Sequence, residues 1–178
     1  MSEGSIGKAL SLASGELRIV ADTKLKPLHT FLAQTSLATP ETVEELFKLS
    51  KEITEEKETQ DFLINLLQDQ LFTTGEDGNG VSLGDYSPVT IAIKKRKGQP
   101  TDRITLKDTG EFYKSYFIVA YTGGFVVDAD DLKDDGTSTT RLFNQYGDDV
   151  LKPNIETIQL INEYYVEKII EYIAFFFL

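Results

Sequence analysis

The chain of 178 residues has no cysteine and one histidine. Without cysteine there is no disulfide framework, no thiolate metal site and no cysteine nucleophile, which fits a protein made in a reducing cytosol. The lone histidine, His29, has no second imidazole and no thiol to join it. A transition-metal site or a Ser-His-Asp triad would need an unusual set of partners, so no metal and no catalytic residue is expected. Basic charge is also scarce. Lys and Arg number 18 against 29 Asp and Glu, a formal net charge of -11. Nonspecific duplex binding needs cations that displace counterions from phosphate, which argues against a nucleic-acid function. Acidity serves solubility and holds copies apart until a specific face captures them.

Long apolar runs are missing as well. Residues 1–7 are small and polar and carry no signal-peptide pattern. The apolar end, Tyr172-Ile-Ala-Phe-Phe-Phe-Leu178, is far short of the roughly 20 residues that span a bilayer, and Glu171 interrupts its extension. No membrane partner is expected.

The first forty residues show no sustained period. Leu17 to Val20 reads as a short strand and Leu28 to Leu37 as a short helix, and 1–39 is taken as an N-terminal extension or arm. Thr39 and Pro40 then carry the N-cap and first-turn signature of a helix. Val43, Leu46, Phe47, Ser50 and Ile53 form one stripe, and Phe62, Leu63, Leu66, Leu67 and Leu71 form a second. The polar stretch 54–61 between them is a solvated part of one helix or a joint between two. Residues 73–87 read as loop from their glycines. Val89, Ile91 and Ile93 alternate with Thr90, Ala92 and Lys94, the pattern of a half-buried strand. A short helical turn is expected within 108–115. A β-hairpin turns at Thr122-Gly123-Gly124, because paired glycines permit positive φ. After a polar loop over 130–140, Pro153 opens a closing helix over 153–176. Its buried stripe is Ile155, Ile158, Ile161, Tyr165, Ile169 and Tyr172. The expected class is α+β, a single domain over 40–178. Helices at 40–72 and 153–176 pack on a small, mainly antiparallel sheet within 86–147.

The patterns that would carry small-molecule chemistry fail on spacing. Counting from Asp77, the EF-hand's fifth position is Val81 and its sixth is Ser82, where an oxygen ligand and a glycine are required; counting from Asp131, the third is Lys133 and the twelfth is Leu142 where glutamate should be. The run Asp128, Asp130, Asp131, Asp134 and Asp135 therefore reads as an acidic solvated loop. A loose cation site, or an aspartate-based hydrolase, is the minority alternative. Gly78-Asn-Gly80 follows a helix pattern instead of a strand, and Gly7-Lys8 is followed by alanine where a P-loop needs a hydroxyl. No cofactor is implied. Two features point to partners instead. Lys94, Lys95, Arg96 and Lys97 are the one concentrated basic patch, suited to an acidic face of another subunit, to DNA in a channel, or to guarding a strand end. Phe175, Phe176 and Phe177 point in successive directions around a helix, so one core face cannot bury them all, and insertion into another subunit is the expectation.

Leu106-Lys-Asp-Thr-Gly-Glu-Phe-Tyr-Lys-Ser115 resembles the hallmark of tailed-phage virion-morphogenesis and tail-completion proteins, roughly Leu-x-x-Thr-Gly-x-Leu-x-x-Ser. Leu106, Thr109, Gly110 and Ser115 match, with Phe112 for the usual leucine and one extra residue before the serine. In the family a β-hairpin follows, then an aromatic-rich strand ending in Tyr/Phe-Gly, matched here by Tyr146-Gly147, then a helix. The resemblance covers about 86–173 and leaves the N-terminal part unmatched. It implies a non-enzymatic virion subunit assembled in the host cytoplasm, forming a homo-oligomeric ring in the neck or upper tail. The implied partners are copies of itself, portal or connector proteins and tail proteins, with DNA passing nearby in the channel. On the residues alone, Thr109-Gly110 suits a chain reversal that caps a short helix. The alternative function is a non-catalytic adaptor that binds one partner through the C-terminal aromatic helix.

Overall fold

The structure, a computed structural model, describes residues 40–132 and 141–177. The fold is α+β. Helix α1 (Pro40–Glu55) is followed after a break at Glu56 by α2 (Lys57–Thr74). Next come α3 (Pro88–Arg96), the single turn α4 (Glu111–Lys114) and the strands β1 (Phe117–Tyr121) and β2 (Gly124–Asp128). A short α5 (Leu142–Tyr146), a 3-10 turn (Asp148–Leu151) and the long α6 (Ile155–Phe177) complete the chain. The described sheet is one antiparallel hairpin. The strand and helix expected at 17–20 and 28–37, His29, Asp134 and Asp135 lie outside the described residues.

The chain divides into two compact units. The described parts of the first are 40–61, 118–126 and 158–177. Its interior holds Ile53, Ile118, Ile161 and Ile169, all buried. The polar stretch is a joint between two helices, with Glu55, Lys57, Glu58 and Asp61 exposed and two threonines turned inward. Thr54 and Thr59 are buried, and their hydroxyls bond those of Tyr165 and Tyr164 on α6, the latter at 3.0 Å. A buried hydroxyl without a partner costs about 1–3 kcal/mol, so these pairs make the two threonines compatible with an interior position. At the break itself, Glu56 accepts from the Tyr172 hydroxyl at 3.2 Å. The hairpin packs through Phe125, whose ring stacks on Tyr165 at 6.5 Å, and through Gly123, which lies against Phe47.

The second unit comprises Phe62–Phe117 and Val127–Thr157. Leu63, Leu67 and Leu71 recur every fourth residue along α2 and are buried, as their stripe predicts. Leu67 and Leu71 share a core with Phe112, Tyr113, Tyr116, Leu142, Val150 and Leu151. Gln70 is buried beside this core and fixes the approach to α6. Its amide donates to the Lys152 carbonyl at 3.0 Å and its oxygen accepts from the Asn154 N–H at 2.8 Å. Asn154 in turn caps α6, accepting from the Thr157 N–H at 2.9 Å.

Three expectations are corrected here. The strand read from Val89, Ile91 and Ile93 is helix α3, with Val89 and Ile93 exposed. Ser87 is its N-cap, accepting from the Thr90 N–H at 3.2 Å, and Pro88 occupies the first turn. These local signals decide over a five-residue alternation. Among the described residues of 86–147, the small antiparallel sheet is the hairpin alone, accompanied by three helices. The Tyr146-Gly147 segment ends helix α5, with Gly147 at φ 78°, where the resemblance implied a strand. Ile155, placed on the buried stripe of α6, is 70% exposed, because the first turn of that helix follows the cap at Asn154.

Candidate functional site: the Leu106–Ser115 turn

Thr105, immediately before the motif, is fully buried and its polar groups are met one by one. Its N–H donates to the Tyr86 hydroxyl at 2.9 Å, and its carbonyl accepts from the Tyr113 hydroxyl at 2.6 Å. Two phenols, one ahead of the motif and one within it, clasp one residue. Burial raises the Tyr113 pKa, so this phenol stays a neutral donor at ordinary pH.

Leu106 follows at φ 50°, the one described non-glycine residue with positive φ. A left-handed leucine is disfavoured by roughly 1–2 kcal/mol, so its surroundings must hold it there. Its side chain packs against the core. The next residue is tied down from the other side. The ammonium of buried Lys94 donates to the Lys107 carbonyl at 2.9 Å and to Gln99 Oε1 at 3.0 Å, and lies 5.0 Å from the Tyr86 ring centroid. Gln99 also donates to the Asp108 carbonyl at 3.1 Å, and Lys97 pairs with the Asp108 carboxylate.

The turn then leads into α4, whose N-cap is Gly110 with no side-chain cap bond. Thr109 Oγ1 accepts from the Glu111 N–H at 3.3 Å, and Gly110 takes φ 93°. This is the reversal that Thr-Gly predicts. Phe112, in the family's leucine position, is buried edge-on to Tyr116 at 5.2 Å and to Phe143 at 6.2 Å. Ser115 links the turn to the chain beyond the hairpin: its Oγ donates to the Phe112 carbonyl at 2.7 Å and accepts from the Asp130 N–H at 2.9 Å. Tyr146 is half-buried, its pKa raised by burial and then by Tyr86.

No protein-family model matches this chain, and no curated protein or solved structure matches it.

Beside the motif lies an open groove of about 490 Å³ between α2 residues, among them Phe62, Leu66, Asp69 and Phe72, and Lys107 with Tyr113. The Lys107 ammonium sits 5.1 Å from the Phe72 ring centroid and 5.2 Å from that of Tyr113. Among the described residues no three His, Cys, Asp or Glu side chains converge as metal ligands. The aspartates near residue 130 are spread along the backbone. Asp128 accepts from the Ala129 N–H, Asp130 from the Leu132 N–H, and Asp131 pairs with Arg141 at 2.6 Å. Asp77 Oδ1 is likewise used at home, accepting from the Asn79 and Val81 N–H groups at 2.8 and 2.9 Å.

The basic patch is divided. Lys94 turns inward and Lys97 is paired, while Lys95 and Arg96 are exposed with no described carboxylate partner. The backbone of α6 runs through Phe175, Phe176 and Phe177, whose side chains lie outside the described residues. Sequence reasoning missed the Tyr86–Thr105–Tyr113 clasp. Its one local signal was the cluster of aromatics around an otherwise polar loop.

Proposed function

We propose that this chain is a structural subunit of a tailed-phage virion, one copy of an oligomeric ring in the neck or upper tail that joins the head connector to the tail. The reading assigns it no catalytic step and no cofactor. The observation that carries it is the Leu106–Ser115 motif followed in order by a hairpin, a Tyr-Gly stop and a closing helix. The roles of the matched residues support it. Leu106, Thr109, Gly110 and Ser115 hold a strained turn and present no reactive group, as an architectural motif would. The helical Tyr146 segment departs from the family pattern, so the weight falls on the turn and the hairpin. Among the described residues no helix is long and apolar enough to cross a membrane, which accords with a place in the particle.

The test is a phage deleted for this gene, with particles viewed by negative-stain microscopy. DNA-filled heads without attached tails are expected. Normally tailed particles would refute the reading.

A further inference from the structure

The loop between α2 and α3 carries Asn79-Gly80 and is tied to the 3-10 turn. Asn79 Nδ2 donates to Asp149 Oδ2 at 2.7 Å, and the Gly78 N–H donates to the Asp149 carbonyl at 2.9 Å. Asn79 and Gly80 are both exposed. Of the five asparagines in the chain, Asn79 alone precedes a glycine. Asn65, Asn144, Asn154 and Asn162 are followed by Leu66, Gln145, Ile155 and Glu163, each with a side chain that crowds its own backbone nitrogen. Gly80 has φ 76° and open space where a Cβ would go, so nothing shields its nitrogen on that side.

We propose that Asn79 is a site of slow self-modification, deamidation through attack by the Gly80 nitrogen, and that the bond to Asp149 is the guard that sets its rate. Solvent base takes the Gly80 amide proton. The Gly80 nitrogen then bonds to Asn79 Cγ and the Cγ–Nδ2 bond breaks, Nδ2 leaving as ammonia with a proton from water. Water opens the resulting cyclic imide at one of its two carbonyls, which leaves a carboxylate at position 79 in a normal or a backbone-shifted linkage. Water is the only co-reactant. In the folded chain both reacting nitrogens are engaged. Nδ2 is held on Asp149, and the Gly80 N–H donates to the Asp77 carbonyl at 3.0 Å. Reaction therefore waits on local opening of the loop. Afterwards the loop cannot close as before, because a donor and acceptor 2.7 Å apart have become two carboxylates that repel. The change runs one way and loosens the loop from the 3-10 turn, and it is independent of the virion reading.

The full chain is held in mildly alkaline buffer while peptide mass spectrometry follows the amide-to-acid exchange at each asparagine. Asn79 is expected to convert first. Asp149→Ala, shown folded by circular dichroism, should convert about tenfold faster at Asn79 and at an unchanged rate elsewhere, the effect of removing one charge-assisted hydrogen bond from the closed loop. Asn79→Asp reproduces the normal-linkage product and should lower the urea midpoint at neutral pH. Adding Asp149→Asn to it restores a donor opposite the carboxylate and should recover most of that loss, a result that needs no kinetics. Another asparagine converting first, or equal rates at Asn79 with and without the Asp149 carboxylate, overturns the proposal. So does an Asn79→Asp chain as stable as wild type, or a double variant no more stable than Asn79→Asp alone.

Discussion

The Tyr113 hydroxyl donates to the Thr105 carbonyl at 2.6 Å within a buried setting, so a motif residue fixes the chain just ahead of its own turn. Tyr116, three residues on, encloses a hydroxyl that has no hydrogen-bond partner. Two neighbouring phenols of the same core should therefore respond in opposite ways to the same change. Tyr113→Phe leaves the Thr105 carbonyl without its donor and is expected to cost about 1–2 kcal/mol. Tyr116→Phe removes an unsatisfied group and should be neutral or stabilising by up to about 1 kcal/mol. Urea midpoints of the two variants decide it, and equal losses would disprove the assignment.

Two glycines separate conformational strain from steric exclusion. Gly110 has φ 93° and open space where a Cβ would go. Gly110→Ala should thus cost about 1–2 kcal/mol, from backbone conformation alone. A Cβ on Gly78 would instead collide with Lys152 Cβ and lie 2.7 Å from the Lys152 carbonyl oxygen. Gly78→Ala has to displace backbone and is expected to exceed the first loss by about 1–3 kcal/mol. Thermal unfolding of both variants gives the order, and a reversed order would contradict it.

Asp149 carries a pH dependence. The hydrogen bond from Lys152 at 2.7 Å holds its carboxyl below the usual carboxylate range, with the Asn79 amide also bonding to it. A carboxyl whose folded pKa is depressed contributes stability above its unfolded value of about 3.9 and loses it as pH falls through the folded value. Asp149→Asn should lower the melting temperature at neutral pH, and the difference from wild type should shrink as pH drops below about 4. Melting curves across that range check it, and a difference that does not change with pH would count against the role. Both groups are part-exposed, so the effect is modest.

What was legible in the chain is local. Pro40 sets the start of α1, and α2 buries Leu63, Leu67 and Leu71 as their spacing predicts. The hairpin turns at Thr122-Gly123, and Thr109-Gly110 leads into α4, because a glycine or a side-chain oxygen acts on neighbours within a few residues. Alternation over five residues misled at Val89–Ile93, where Ser87 and Pro88 set a helix whose exposed aliphatic side chains no period-2 pattern anticipates. Thr54 and Thr59 look solvated in sequence and are buried, since the tyrosines that satisfy them lie more than a hundred residues away.

The Leu106–Ser115 stretch shows the division plainly. The sequence by itself determined a turn, its threonine and its glycine, because each needs only contiguous residues. Only the tertiary structure decided that Lys94 turns inward to the Lys107 carbonyl, that Leu106 sits at positive φ and that Tyr86 and Tyr113 close on Thr105. Those choices depend on which distant donor reaches a buried acceptor, and a buried polar group is satisfied by whatever the folded chain brings to it.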